Sequence, residues 1–368
     1  MSFAQLSTPN TSPTPGHPGH WVVTEFGTPS VLKWEAFDPL QELSAERNVL
    51  IRIIVGGIAG VDNIMRAGGY PEPEASQPGF TTGYDVVGEV IALHESTSKE
   101  CGLTVGDRVT SLCKYGGHAT HIVLSYQDVI LIRPDDDMLK ICTLPLNYMT
   151  SWGMLKHSGV HLPPGSSILL GSASGGLGTA VAQLNTAFNM GIRIIGTCSP
   201  SKFNYVRSLG VEPIDRNAPD LVDQVRKLTN GEGVDVAYDG ICSDKSVQNF
   251  LAATKKDVGK VVVFGIMGEI EEDGSKMLSS VDNIFASRIK PPRISFYALD
   301  TAFHRKPEVT ELHAIMDKVR SGELDPVVSK LLPLSKAVEA HKLLISGSTI
   351  KGKMLFVADA AMASEIGL

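Results

Sequence analysis

The sequence lacks long hydrophobic runs. Apolar stretches such as Val261-Val262-Val263-Phe264 fall far short of the ~18 residues that a membrane-spanning helix needs, so no membrane span is expected. Cysteine is scarce and scattered: Cys101, Cys113, Cys142, Cys198 and Cys242 are five in 368 residues, with no C-x-x-C pair. An odd, dispersed set excludes a disulfide framework and suits reduced thiols in a cytoplasmic setting. Positive charge is also short, with 33 Lys and Arg against 40 Asp and Glu and a net charge of −7. No block of like charges offers a basic stripe, so nucleic acid is not an expected partner. Internal repeats are absent as well. The first twenty residues hold Pro9, Pro13, Pro15 and Pro18, without the apolar core of a secretory signal or the arginines of a transit peptide. Residues 1–20 are expected to form a flexible tail.

What is present divides the chain into two textures, in keeping with the two domains that its length implies. From Trp21 to about Ile132 the segments are short and β-like: Val49–Val55, Asp85–Leu93, a Gly106-Asp107 turn into Arg108-Val109, Ala119–Leu124 and Val129–Ile132. Regular Gly, Pro and Asp punctuation points to a mainly antiparallel, barrel-like domain. After Arg133-Pro134 the pattern becomes strand–helix alternation. Strands are expected at Ser167–Leu170, Ile192–Thr197, Pro213–Asp215, Val234–Tyr238 and Lys260–Phe264, separated by amphipathic helical stretches. Alternation of this kind builds a parallel sheet covered on both faces. Beyond Phe296 a helix lined by Val309, Leu312, Ile315, Met316 and Val319 and a last strand at Met354–Val357 are expected to return to the first domain.

The most informative segment runs from strand Ser167–Leu170 into a small-residue loop and a helix start. Ala173, Ser174, Gly175, Gly176, Leu177 and Gly178 give Ala-x-Gly-x-x-Gly, with Ala replacing the first glycine of the dinucleotide fingerprint. Small residues let the backbone approach a pyrophosphate, whose charge faces the free N–H groups of the helix N-terminus. An NAD site also wants a carboxylate at the end of the second strand. Here that strand ends Gly196-Thr197-Cys198-Ser199-Pro200-Ser201-Lys202, with no acid. Ser199 and Lys202, with Arg216 after the third strand, suit the 2′-phosphate of NADPH. The alternative for Lys202 is an exposed place in the next helix's first turn.

Gly83-Tyr84-Asp85-Val86-Val87-Gly88, Gly106-Asp107-Arg108-Val109, Tyr115-Gly116-Gly117-His118-Ala119 and the Ala173–Gly178 loop, taken together, resemble the medium-chain dehydrogenase/reductase superfamily. The resemblance is to its zinc-independent quinone oxidoreductase-like branch. Thr197-Cys198-Ser199-Pro200 followed by Phe203 resembles fungal trans-enoyl reductases, which implies a place in fungal secondary metabolism. The resemblance implies an α/β protein with a GroES-like β-barrel catalytic domain over residues 21–143 and 301–368. A Rossmann doubly wound parallel-sheet domain would occupy 144–300, with the site in the cleft between them. The family's zinc-ligand positions fall on Ala59, Tyr84 and Leu146, where Ala and Leu cannot ligate. No metal is expected. His118 and His121, read as sharing a strand, and His157 and His161 are expected to be structural or surface residues.

The resemblance implies that Tyr84 and Tyr70 stand beside the acceptor as hydrogen-bond donor or proton source. It also implies that Thr150, Gly265, Ile266 and Met267 line the nicotinamide pocket. Tyr297 would cover that pocket or serve a subunit interface. Without a metal to polarise a carbonyl, hydride transfer to an already activated acceptor is the reaction that positioning can catalyse. The expected function is NADPH-dependent reduction of the C=C bond of an α,β-unsaturated carbonyl, or of a quinone, by a monomer or homodimer. A tyrosine or water would supply the proton. The alternatives are an aldehyde or alcohol dehydrogenase and a non-catalytic nucleotide-binding protein. The loops Gly69–Thr82 and Glu269–Ser280 carry no specificity pattern, and Glu271, Glu272 and Asp273 are expected at a solvated tip.

Overall fold

The computed structural model describes residues 17–347 and 350–368, so most of the expected tail lies outside the described residues. The chain begins with β1 (Gly19–Val23), β2 (Leu32–Ala36), β3 (Val49–Ile58) and helix α1 (Gly60–Arg66). Then come β4 (Phe80–Thr81), β5 (Asp85–Leu93), β6 (Arg108–Leu112), β7 (His121–Leu124) and β8 (Ile130–Leu131). Helix α2 (Met138–Ile141), a π-turn at Leu144–Tyr148 and α3 (Met149–Lys156) connect to the alternating part. That part holds β9 (Ser167–Leu170), α4 (Gly176–Ala187), β10 (Arg193–Cys198), α5 (Phe203–Ser208) and β11 (Glu212–Asp215). It continues through α6 (Leu221–Leu228), β12 (Val236–Asp239), α7 (Asp244–Ala253), β13 (Lys260–Val263), α8 (Val281–Arg288) and β14 (Ile294–Phe296). The chain ends with α9 (Val309–Arg320), β15 (Val328–Pro333), α10 (Ala337–Ser346), β16 (Lys353–Val357) and α11 (Ala360–Glu365).

The alternating segments build a parallel six-stranded sheet, ordered β11-β10-β9-β12-β13-β14. Its strand order reverses between β9 and β12, and in open α/β sheets ligands bind outside the carboxyl ends of the strands at that point. The remaining strands form a sheet ordered β15-β16-β3-β5-β6-β8, with β7 also on β3, and a small sheet β2-β1-β4. The returning β16 pairs antiparallel with β3, Met354 opposite Ile58 and Val357 opposite Val55.

Period-two alternation distributes the core. Ile168 and Leu170 of β9 join the cluster that also holds Trp21, Trp34 and Phe356, whereas Leu169 between them packs in the cluster on the sheet's other face. Helix α9 buries Leu312, Ile315 and Met316, the stripe its spacing predicts.

Two expectations need correction. Gly19 and His20 are not tail: they open β1, opposite Ala36 and Glu35, and the His20 ring packs 4.7 Å from Phe37. His118 and His121 do not share a strand, because β7 starts at His121. His118 is fully buried in the preceding loop, with Thr82 Oγ1 2.7 Å and the Gly57 carbonyl 3.0 Å from its two ring nitrogens. Among the described residues, no helix is long and apolar enough to cross a membrane.

Candidate active site

A cleft of about 1130 Å³ runs along the carboxyl ends of the six-stranded sheet, walled on its other side by β3, α1, the Tyr84 turn and the start of β16. It exceeds the ~300–1,000 Å³ of an ordinary small-molecule pocket and has room for a dinucleotide together with an acceptor.

One end is made of backbone. Ala173 is buried, and its N–H donates to the Thr197 carbonyl at 3.0 Å, tying the loop after β9 to β10. A Cβ on Gly178 would lie 2.6 Å from Ala173 Cα and Ser172 O, and one on Gly176 would lie 2.2 Å from Asn147 Nδ2. Glycine is therefore required at position 178, where the neighbours are backbone, and at 176 any side chain would displace that of Asn147. The N-cap of α4 is Gly175, whose lack of a side chain leaves the first-turn N–H groups facing the cleft without a side-chain cap. From the opposite wall, the Gly352 N–H donates to the Ser174 carbonyl at 3.1 Å.

Ser199, Lys202 and Arg216 all line the cleft beyond β10 and β11. Lys202 is only 6% exposed, which removes the exposed reading. Its ammonium donates to the Gly347 and Ile350 carbonyls at 3.0 and 2.8 Å, leaving the third N–H for another acceptor. Burial, with Arg216 nearby, holds its pKa below the ordinary lysine value.

At the other end Thr150, Gly265, Ile266, Met267 and Tyr297 line the same cleft. Tyr297 presses its hydroxyl against α3, where a Cβ on Gly153 would fall 1.6 Å from it. Burial pushes this phenol up to about 12.

Tyr70 and Tyr84 meet here as well. Their hydroxyls share a hydrogen bond, and their rings stand edge-to-face, 6.0 Å apart at 87°. Burial pushes Tyr84 up to about 12, opposed by the Tyr70 hydrogen bond. Tyr70 is also raised, by burial and then by Tyr84.

The placement of Tyr84 rests on residues that sequence reasoning missed. Asp62 accepts from the Ala59 and Gly83 N–H groups at 2.8 and 2.9 Å, which pins the start of α1 to the turn before Tyr84. Gly83 has φ +101. On Tyr84's other side, fully buried Asp85 forms an ion pair with Lys353. That pair needs Gly57, where a Cβ would overlap Asp85 Oδ1 at 1.7 Å. Asn147 and Lys353 also line the cleft. The signals were present, an acid beside Tyr84 and a Gly-Lys pair before the last strand, but no spacing links positions 85 and 353.

The loop after β13 is more than a solvated tip. Its Glu272 and Asp273 are exposed, yet Arg66 donates to the Gly274 carbonyl at 3.1 Å and Met277 packs on Gly69.

Two families match the chain: the alcohol dehydrogenase GroES-like domain over residues 45–134 and the zinc-binding dehydrogenase family over 176–305. Human quinone oxidoreductase is 26% identical over 91% of this chain and 96% of its own length. This chain carries both of these domains and is similar along its length to quinone oxidoreductases. Among solved structures, Escherichia coli quinone oxidoreductase complexed with NADPH has a TM-score of 0.76 at 22% identity, covering 92% of this chain and 99% of its own. The CurK enoyl reductase has a TM-score of 0.74 at 23% identity, covering 93% and 99%. Both share the fold.

The second family's name implies zinc, and the residues here do not fit it. Ala59, Tyr84 and Leu146 converge on the cleft, but alanine and leucine carry no donor atom where zinc wants three protein ligands. Among the described residues, no group of three or more His, Cys, Asp or Glu is placed to hold a metal.

Proposed function

We propose that this protein is an NADPH-dependent reductase of the C=C bond of an α,β-unsaturated carbonyl, or of a quinone. The observation that carries the reading is the pairing, in one cleft, of an acid-free, cationic second-strand end with two hydrogen-bonded phenols where a metal site would stand. The NADPH complex of the E. coli quinone oxidoreductase and the enoyl reductase among the structural neighbours support it.

NADPH supplies the hydride when bound. Gly176 and Gly178 would leave room for its pyrophosphate at the N-terminus of α4, and Ser199, Lys202 and Arg216 would hold the 2′-phosphate. Thr150, Ile266 and Met267 line the cleft where they would hold the reactive ring beside the acceptor. Gain of a hydride at the β-carbon leaves negative charge on the α-carbon and oxygen. Tyr84 breaks its O–H bond to give that proton, keeping the electron pair, and Tyr70 donates to the resulting phenolate oxygen. With Tyr84 raised to about 12, the donor stays protonated across the neutral range. Its activity should therefore not decline through loss of this proton until strongly alkaline pH.

The test is a panel of enones and quinones with NADPH and NADH, on protein whose metal content is measured. NADPH-dependent reduction at negligible zinc supports the reading. Stoichiometric zinc with alcohol oxidation would move the protein to the alcohol dehydrogenase class, and tight NADPH binding without turnover would make it a non-catalytic nucleotide binder.

A further inference from the structure

Charge along the cleft is sorted by position. Among the described lining residues, the cations are Lys202, Arg216, Lys245 and Lys353, and the acids are Glu72 and Asp300. Lys202, Arg216 and Lys245 follow β10, β11 and β12, on the side assigned to the cofactor's phosphates. Lys353 is already held by Asp85. Both acids lie at the other end: Glu72 two residues after Tyr70, and Asp300 just past β14 and Tyr297.

Each of these two acids pairs with a cation that is not among the described lining residues. Lys114 pairs with Glu72 at 3.4 Å, both about a third exposed at 33% and 36%, and Lys306 pairs with Asp300. The walls between these charges are apolar, with Val61, Ile64, Pro71, Leu146, Met267 and Leu299 among them. An anion entering there would lose its water without gaining a cationic partner. Glu72 lies within electrostatic reach of the reacting groups: after burial, its charge is among the causes that raise both Tyr70 and Tyr84.

We infer that Glu72 is a specificity-determining residue, and that the acceptor is a neutral, apolar enone or quinone. Acceptors with a carboxylate, sulfonate or phosphate next to the reacting carbons are turned away. The inference rests on the reductase reading above and deepens it. Repulsion comes from the Glu72 carboxylate, partly offset by Lys114. The two residues therefore push selectivity in opposite directions, which a merely structural role for either would not produce.

The experiment compares 1,4-naphthoquinone with its 2-sulfonate. The sulfonate withdraws electrons and makes the ring the better hydride acceptor, so intrinsic reactivity alone would favour it. In the wild-type protein at low salt, kcat/KM should favour the neutral quinone by about ten-fold, a gap that shrinks as salt screens the charges. Glu72→Gln should narrow the gap. Lys114→Asn should widen it, asparagine being tolerant of the left-handed conformation at that position (φ 66). Equal use of the two quinones, preference for the sulfonate, or both variants moving the ratio the same way would overturn the inference. Quenching of tryptophan fluorescence gives the binding order of the same probes without turnover. Reduction without charge preference removes the selectivity and leaves the reductase. Charge-ordered binding without reduction removes the reductase and leaves the selectivity.

Discussion

At the cofactor end of the cleft the geometry comes from backbone and from residues close together in sequence: one strand, one small-residue turn and one helix start within Ser167–Gly178. At the acceptor end it comes from side chains delivered by separate segments, with Tyr70 after α1, Tyr84 before β5, Leu146 in the π-turn, Met267 after β13 and Tyr297 after β14. A local, backbone-built site tolerates little change in shape. A dispersed, side-chain-built site can change its chemistry by single replacements while its walls persist, as Ala59 and Leu146, which carry no donor atom, illustrate beside Tyr84.

The contrast can be broken hardest at the phenols. Tyr84→Phe should lower kcat for a neutral enone by about 10²–10⁴-fold, the usual weight of a general acid, while NADPH affinity measured by calorimetry stays unchanged. Tyr70→Phe should cost less, since it leaves the donor in place. Equal loss in the two variants would contradict the order of the relay.

Next comes the buried ion pair behind Tyr84. Lys353→Met leaves the Asp85 carboxyl buried without its partner, and should destabilise the protein by about 3–5 kcal/mol in chemical denaturation. At the cofactor end, Gly178→Val drives a side chain into Ala173 Cα, 2.6 Å away even for Cβ. NADPH use should fall about 100-fold, as a displacement of roughly 1 Å costs, with KM for NADPH carrying the change.

Lys202→Glu should shift preference from NADPH towards NADH by about ten-fold or more, one charge-assisted hydrogen bond being worth roughly 1.5–3 kcal/mol. It should also lower Tm by loosening the Gly347 and Ile350 carbonyls. Equal weakening of both cofactors would refute the 2′-phosphate assignment.

The smallest effect lies away from the cleft. Arg320 hydrogen-bonds Asp136 at 2.8 and 2.7 Å and holds its carboxyl below the usual carboxylate range. This stabilisation is present above that range and is lost as pH falls through the depressed folded-state value. Asp136→Asn should cost about 1 kcal/mol at neutral pH, and should flatten the acid limb of a stability–pH curve.

The same contrast explains how much was legible in the sequence. The β9 boundaries, the Ala173–Gly178 turn and the missing acid at Ser199–Lys202 were readable because each is local and carries a composition signal. The α9 stripe was readable from its period. The helices α1, α8 and α10 were not, since their sequences lack a clear apolar period or an N-terminal signal set apart from neighbouring loops. The packing of Glu269–Ser280 over α1 was hidden because its contacts, Gly274 with Arg66 and Met277 with Gly69, join positions some two hundred residues apart. Asp85 and Lys353 were missed for the same reason. Charge complementarity across 268 positions leaves no trace in spacing.

The most direct measurement is NADPH oxidation by chelator-treated protein in the presence of a neutral enone or quinone, followed by identification of the reduced product. The structure predicts turnover that survives removal of divalent metal and yields the saturated ketone or the hydroquinone. No consumption of NADPH with any such acceptor, or activity that returns only when zinc is added back, would contradict it.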